Sequence, residues 1–471
     1  MTEVASKLAG SAGVLILRKV ASSGLSAISS IVVVRSLAPG EFGQYAAGLS
    51  AFYLLVALTE FGFGEVLGRA LGRGRIDERS FGRLLLRINL AWSGLVALAG
   101  VVLAGLFAYG SVRGGTLLAL TPAIALAGVT SLRQFFYAKH EVGRMATVDL
   151  STAAVSTVVI VMLAVLGAPP VLLAAAASLA SVITSLVLLR VGWHWISHRP
   201  GPTYSTGRII RDALPIGFAS FLATAYVSID VVILSTIFPP EVLGQYASAV
   251  KVLSLLTIFP GLVMAVALPQ LSADWSDPAR LGPLLTRLWH WFLSLVLPAL
   301  VIVAVNAGGV MTLLFGASYA AAGGYVRVLM LAGAVAMLSQ LLGVVVVAAA
   351  RAGWLVAQNI VALVLNVGGN LLLTPRWGIG AAAWLTVATE VFVCAGSWLI
   401  LRDRLPYAAL LKVSRIPVAA VAVAAAAGSL LAARPWAALL CSGAVYLAVM
   451  SAARGWPAEL LRMVPRMARS A

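Results

Sequence analysis

The sequence predicts an all-α polytopic membrane protein of about fourteen transmembrane helices, organised as two six-helix lobes with two extra helices at the C-terminal end. Three observations lead to this. Of 471 residues, 61% are hydrophobic and 10% charged, against about 25% charged in a soluble domain. Apolar stretches of the roughly 20 residues needed to cross a bilayer tile almost the whole length. Finally, Pro39-Gly40-Glu41-Phe42-Gly43-Gln44-Tyr45-Ala46 returns 201 positions later as Pro240-Glu241-Val242-Leu243-Gly244-Gln245-Tyr246-Ala247. A self-match at that distance fits two halves built on one plan.

The spans read as 12–37, 43–68, 84–109, 114–137, 146–167, 169–191, 212–238, 243–270, 287–310, 322–350, 354–374, 378–401, 415–432 and 435–453. Long unbroken apolar runs demand helices, because hydrocarbon offers the backbone no hydrogen-bond partner and barrel strands would alternate over about ten residues. In each copy an apolar run leads in (Leu15 to Leu37; Ala213 to Phe238), a Pro-anchored turn follows, and a second apolar run departs. The expected organisation is an N-terminal lobe over 1–191, a connector over 192–211 and a C-terminal lobe over 212–401. Extra helices follow over 402–453, with a basic tail over 454–471. Spans one and seven begin on the same side, which implies a pseudo-twofold axis along the membrane normal.

The formal charge of +17 is explained by topology. With the N-terminus cytoplasmic, 24 of the 33 lysines and arginines fall inside, 5 outside and 4 within spans, the asymmetry that the positive-inside rule produces. Both termini are expected on the cytoplasmic side of the membrane. No basic stripe is interleaved with aromatics, so nucleic acid is not an expected partner. Membrane lipids are: Arg69 to Arg83 and the tail Glu459 to Arg469 mix arginine with Leu, Phe and Met as surface-lying helices do. Arg18 and Lys19 interrupt the first apolar run where a cleavable signal would be uninterrupted. Cys394 and Cys441 lie in apolar helices as small hydrophobes, and no disulfide or metal site is readable from them.

Ionisable groups at membrane depth mark a pathway or a paired bridge. Asp230 and Lys251 each lie roughly 12 Å from the outer end of their helix, by 1.5 Å per residue, and can meet as a pair. Arg18 and Glu60 lie nearer the cytoplasmic end. Helical spacing puts Arg18, Ser22, Ser26 and Ser29 on one stripe, Tyr45, Phe52, Tyr53 and Glu60 on another, and Tyr226 with Asp230. Together they outline a polar cleft between spans 1, 2, 7 and 8, or a set of ion pairs gluing neighbouring helices. Lys19 and Arg133 read as snorkelling cations. Gly62 with Gly64, and Pro260 with Gly261, weaken the second helix of each lobe at one depth and are hinge candidates.

Asn366 and Asn370, one turn apart, could help bind a cation or bond across helices, and Glu390 is a candidate for proton or sodium coupling. His194 and His198, among Trp193 and Trp195, read as interfacial belt, as does His290 between Trp289 and Trp291. No cofactor, nucleotide-binding loop or nucleophile motif is present, and nothing argues for an enzyme.

The Pro-x-x-Phe/Leu-Gly-Gln-Tyr-Ala turn, Leu314-Phe315-Gly316-Ala317-Ser318-Tyr319, and Asn366 to Asn370 leading to Pro375-Arg376-Trp377-Gly378-Ile379-Gly380-Ala381-Ala382-Ala383 together resemble the Wzx-type polysaccharide flippases. These belong to the multidrug/oligosaccharidyl-lipid/polysaccharide exporter superfamily. The resemblance implies two lobes around a central cleft whose cations receive the pyrophosphate of a polyprenyl-linked oligosaccharide. Arg18 and Lys251 are the matching candidates here, with Asp230 able to neutralise Lys251. The expected function is flipping of a lipid-linked oligosaccharide by alternating access for cell-surface polysaccharide synthesis, with polymerase and glycosyltransferases as possible partners. A cation-coupled drug or metabolite antiporter of the same fold is the alternative; a membrane-embedded glycosyltransferase would need larger outside loops than these.

Overall fold

The structure, a computed structural model, describes residues 20–73, 77–106, 111–139, 141–196, 205–431 and 434–457. Arg18, Lys19, His198 and the tail from Glu459 lie outside them. Among the described residues every regular element is helical. Twelve helical stretches are long and apolar enough to cross a membrane. Two more helices, α1 (Val20–Ser36) and α10 (Pro240–Asp274), occupy the first and eighth expected spans. Each of the fourteen spans read from the sequence thus falls on a helix.

The chain forms two compact units, Met1–Ala247 and Ser248–Ala471. In the first, α1 is followed by α2 (Pro39–Glu60), α3 (Phe63–Arg73), α4 (Glu78–Leu106) and α5 (Val112–Leu126). A 3-10 turn (Ala127–Leu132), α6 (Arg133–Ala138), α7 (Val142–Val165), α8 (Pro170–Gly192) and α9 (Thr206–Ile237) complete it, with the start of α10. Proline opens α2, α8 and α10, where its missing N–H costs nothing and its fixed φ suits the first helical turn. Glu41 accepts the Ala38 N–H at 3.1 Å at the start of α2. Asp77 accepts the Ser80 N–H at the start of α4; hydrogen bonding from the Ser80 side chain, and then from the backbone N–H groups, holds its carboxyl below the usual aspartate range.

The second expected span is interrupted. Its helix ends at Glu60 and resumes at Phe63, with Gly62 at φ 77°, a left-handed conformation that glycine adopts without steric cost. Beyond the break α3 is amphipathic: Phe63, Val66, Leu67 and Leu71 are buried, while Glu65 and Arg69 are exposed. The buried face enters a core with Phe81, Leu85, Leu132, Phe135, Phe136 and Leu188. Trp195, expected at an interface, closes that core by stacking on Phe135 at 5.8 Å and meeting Phe136 edge-on at 4.7 Å. A second core joins α2, α4 and α5 through Ala51, Leu55, Val96, Leu117 and Ile124.

The second unit holds the rest of α10, then α11 (Pro278–Trp291), a π turn (Phe292–Val296), α12 (Leu297–Val305) and α13 (Ala307–Phe315). After a 3-10 turn (Ala317–Ala322) come α14 (Gly323–Ala348), α15 (Ala352–Trp377), α16 (Gly380–Leu401), α17 (Tyr407–Leu430) and α18 (Pro435–Ala452). The ninth crossing starts earlier than hydropathy suggested and ends at Val305, leaving α13 as a separate short helix before the tenth. Pro298 carries no N–H, so the Ser294 carbonyl has no donor at its α-helical position; the Tyr446 hydroxyl donates to it at 2.8 Å. That bond ties α18 to the π turn. The two C-terminal helices pack on each other through Ala420, Val421, Ala424, Tyr446 and Met450, with Val301 and Ile302 of α12 alongside.

Candidate functional site

The duplicated turn forms the first two turns of α2 and of α10, and its burial repeats position by position. Phe42, Gly43, Tyr45, Ala46 and Ala47 are buried in one copy, and Leu243, Gly244, Tyr246, Ala247 and Ser248 in the other. The starts of α2 and α10 pack backbone to backbone inside the first unit. A Cβ on Gly43 would lie 2.8 Å from Gly244 N, and one on Gly244 3.1 Å from Gly43 N, with the Pro240 and Pro39 carbonyls closer still. Only glycine allows that approach, which is why the repeat keeps Gly in both copies.

Asp230 on α9 is 8% exposed. One carboxylate oxygen accepts the Tyr246 hydroxyl at 3.0 Å and the other the Val231 N–H at 2.7 Å. A buried carboxylate is retained only when its oxygens are engaged, and the donor is the tyrosine of the repeated motif itself. Arg113, at the start of α5, donates to the Ser235 carbonyl at 2.8 Å and to its Oγ at 3.3 Å. It thereby holds the far end of the same α9. Tyr226 is half-buried one turn before Asp230. Lys251 follows on α10 in the second unit, also half-buried.

On α2, Tyr53 is 46% exposed and Glu60 is exposed; seven residues apart, they share a face. Tyr45, placed on the same stripe by spacing, is buried in the helix-start packing. Ser29 of α1 donates to Thr157 Oγ1 at 3.1 Å, and Thr157 reaches the Leu25 carbonyl at 3.4 Å, so this serine ties α1 to α7. Ser22 is half-buried one turn before Ser26. Arg133, expected to snorkel, instead pairs with Asp149 of α7 at 3.0 Å.

The two hinge candidates differ in form. Around Gly62 the chain is broken and tightly held: a Cβ there would lie 2.5 Å from the Ala213 carbonyl and 2.9 Å from Gly217 N. Trp92 Nε1 donates at 2.7 Å to the Leu58 carbonyl, one of the last-turn carbonyls that intrahelical bonds do not reach. Gly64 sits within α3, in ordinary contact with Gln134. α10, by contrast, continues through Pro260 and Gly261 as one helix of 35 residues.

In the second unit, Asn370 Nδ2 donates to Asn366 Oδ1 at 3.0 Å, and the Thr374 hydroxyl to the Asn370 carbonyl at 2.5 Å. The two asparagines bond along α15. The bond across to α16 comes from Gln358, whose amide reaches the Val393 carbonyl. Gln358, Asn366, Asn370 and Thr374 are all buried, and Asn370 Oδ1 has no partner among the described residues. Glu390 is half-buried on α16, and its carbonyl accepts from Ser339 at 3.3 Å. His194 is bonded to the Val191 carbonyl and His290 to that of Gly455. No group of three or more metal-ligating side chains occurs among the described residues.

Sequence reasoning missed Tyr246, Arg113, Trp92 and the Arg133–Asp149 pair. Of these, Tyr246 left a signal, since it belongs to the duplicated motif and carries a polar tip.

A sequence search of curated proteins finds no match. Among solved structures, the chain is similar to the lipid II flippase MurJ in an inward closed conformation. That match has a TM-score of 0.72 at 14% identity and covers 93% of this chain and 98% of the other. It is also similar to an inward-facing multidrug resistance MATE family transporter of the MOP superfamily (TM-score 0.64, 16% identity, 83% and 96% covered). A third similar structure is a MOP superfamily transporter from Pyrococcus furiosus (0.60, 13%, 84% and 95%). The fold is therefore the one shared by that flippase and the MATE transporters. A family model described as polysaccharide biosynthesis protein matches residues 8–274, more than half the chain, and the chain belongs to that family.

Proposed function

We propose that this protein flips a polyprenyl-(pyro)phosphate-linked oligosaccharide across a bacterial inner membrane for cell-surface polysaccharide synthesis. The lobes over 1–191 and 212–401 would alternate access to a cleft between them, with both termini in the cytoplasm. The observation that carries this reading is the joint one of family and extent. The family is one of polysaccharide biosynthesis, and the lipid II flippase covers 93% of the chain against 83% for the MATE transporter. Fourteen expected spans also suit the flippase branch better than the twelve expected of the drug antiporters.

Within this reading Arg18 and Lys251 receive the pyrophosphate. Tyr53, Ser22 and Tyr226 line the path, and Asp230 sets the charge beside it. Glu60 and Ser29 would line the same path. A mobile anionic head group gives otherwise costly cations a reason to sit at membrane depth. Gly62 and Gly64, with Pro260 and Gly261, would absorb the rocking motion.

The test is to deplete the protein in its host and measure polyprenyl-linked sugars by mass spectrometry, separating the leaflets by their accessibility to an impermeant enzyme. Accumulation of one completed oligosaccharide lipid on the cytoplasmic side is expected. Unchanged amount and sidedness, with reduced export of a small cation, would replace this reading by the antiporter.

The antiporter reading draws on the MATE neighbours and on the buried α15 ladder, whose Asn366 and Asn370 with Glu390 would couple a cation. It predicts that Glu390 is essential for transport while Arg18 and Lys251 are dispensable.

A further inference from the structure

We propose that the second unit carries a resident anionic phospholipid, with one acyl chain seated in a groove between α11, α14, α16 and α17 and its phosphate held by Arg404 and Arg415.

The groove encloses about 550 Å³ and is almost wholly apolar, walled by Leu285, Trp289, Leu338, Trp398, Leu411 and their neighbours. That volume falls in the range of pockets that bury a ligand. Its floor is the core of Leu285, Leu341, Leu342, Val345 and Leu401, and Trp289 Nε1 fixes one side by donating to Ser414 Oγ at 2.8 Å. Its outer rim is open: Val391, Trp398, Tyr407 and Leu411 are all exposed. On helices that cross the membrane, such a rim faces hydrocarbon, so a chain from the bilayer can enter sideways.

The charge on the rim selects the occupant. Hydropathy alone placed the start of the thirteenth span at 415, which left Lys412 in a loop and Arg415 at its very end. The structure begins α17 at Tyr407, so Arg415 stands about 12 Å along the helix at 1.5 Å per residue. It lies one turn beyond Leu411 and next to Ser414, both of which line the groove. Lys412 and Arg415 are exposed, and neither takes part in an ion pair among the described residues. At the mouth, Arg404 lies over the Trp275 ring at 5.6 Å, and Trp275 packs on the groove's own floor. On the other side of the α11–α17 seam a second cavity of about 470 Å³ is lined by Arg287 and His290. Of the nearby acids, Asp277 is engaged by Arg280 at 3.3 Å, Asp403 lies by Arg402, and Glu390 is half-buried one turn before Cys394 on α16. Cations on a lipid-facing helix need a counter-ion, and a phosphate at head-group depth supplies it. An apolar chain slot with such a cationic rim is complementary to an anionic phospholipid and not to a zwitterionic one.

The experiment is native mass spectrometry of the full-length purified protein, delipidated and titrated with phosphatidylglycerol or with phosphatidylcholine of identical chains. The wild type should retain phosphatidylglycerol preferentially. Arg404→Ala and Arg415→Ala should each weaken its retention roughly fivefold, the effect of one basic residue near anionic lipid. Both positions are exposed, so the variants fold. Ala395→Trp, which fills the groove from its exposed side, should abolish retention of the phospholipid without altering the melting temperature. Equal retention of the two lipids, or retention unchanged in all three variants, would overturn the proposal. Stoichiometric displacement of phosphatidylglycerol by polyprenyl phosphate would overturn it as well, by giving the groove to the lipid of the transported substrate.

Discussion

Gly43 and Gly244, 201 residues apart in the chain, meet at the first turns of α2 and α10, each so close to the backbone of the other copy, above all to the carbonyls of Pro240 and Pro39, that neither position can carry a Cβ. The duplicated motif is therefore more than a relic of duplication. It is a contact between the two copies, and the copies need each other to make it.

Gly43→Ala and Gly244→Ala should each lower stability by at least the 1–3 kcal/mol typical of overpacking, because the obstructing atoms are backbone and cannot rotate away. Gly24→Ala and Gly94→Ala, where nothing lies within 4 Å, should be neutral or mildly stabilising. Melting temperatures of the four variants in one detergent decide it; equal effects would remove the contact from the account.

Asp230 and Tyr246 should be energetically coupled. Tyr246→Phe removes a donor from a buried carboxylate, at a cost of about 1–3 kcal/mol. A double-mutant cycle with Asp230→Ala should return an interaction energy of 0.5–3 kcal/mol, as for residues in direct contact. A cycle that is additive would mean that the hydrogen bond at 3.0 Å contributes nothing net.

The two glycines at the end of α2 should separate on substitution. Gly62→Ala places a Cβ at φ 77°, which costs about 1–2 kcal/mol, and drives it against the Ala213 carbonyl. Gly64→Ala meets only an ordinary contact at 3.6 Å. Stability should fall for the first and hold for the second. A transport loss in Gly64→Ala equal to that in Gly62→Ala would move the flexing point into α3.

Tyr446→Phe should cost about 1–3 kcal/mol by stranding the Ser294 carbonyl. Pro298→Ala, which returns an N–H to the turn that needs one, should recover part of that loss in the double variant. Thermal unfolding of the two single variants and the double variant tests this, and no recovery would show that the π turn does not depend on the proline.

The N-cap of α4 should respond to acid. The Asp77 carboxyl is held below its ordinary value of 3.8 by its hydrogen bond to Ser80. The depressed value means that its stabilising effect is present above the unfolded pKa and is lost as pH falls through the lower, folded one. Hydrogen exchange at 78–81 should therefore quicken only below about pH 4, and Asp77→Ala should make it fast at every pH.

Crossing a membrane is a property of length and hydropathy along a line, so the fourteen spans, the helical class and the duplication could all be read from the sequence. The family was legible in the same way, from motifs that the chain carries in order. The chemistry around those motifs was not. Spacing put Tyr45 on the stripe with Tyr53 and Glu60, but the close approach of the two glycine turns buries it. Spacing likewise left Arg133 to solvent, and only the packing of α6 beside α7 brings Asp149 to it. The break at Gly62, the Tyr446 bond to Ser294 and the Tyr246 bond to Asp230 each depend on which way a helix is turned and what stands opposite. Hydropathy averages over that rotation, because a lipid-facing and a buried apolar side chain score alike. The sequence by itself determined that the protein is helical and crosses the membrane many times. Which polar groups meet inside it was decided only by tertiary packing, since a hydrogen bond needs both partners within about 3 Å.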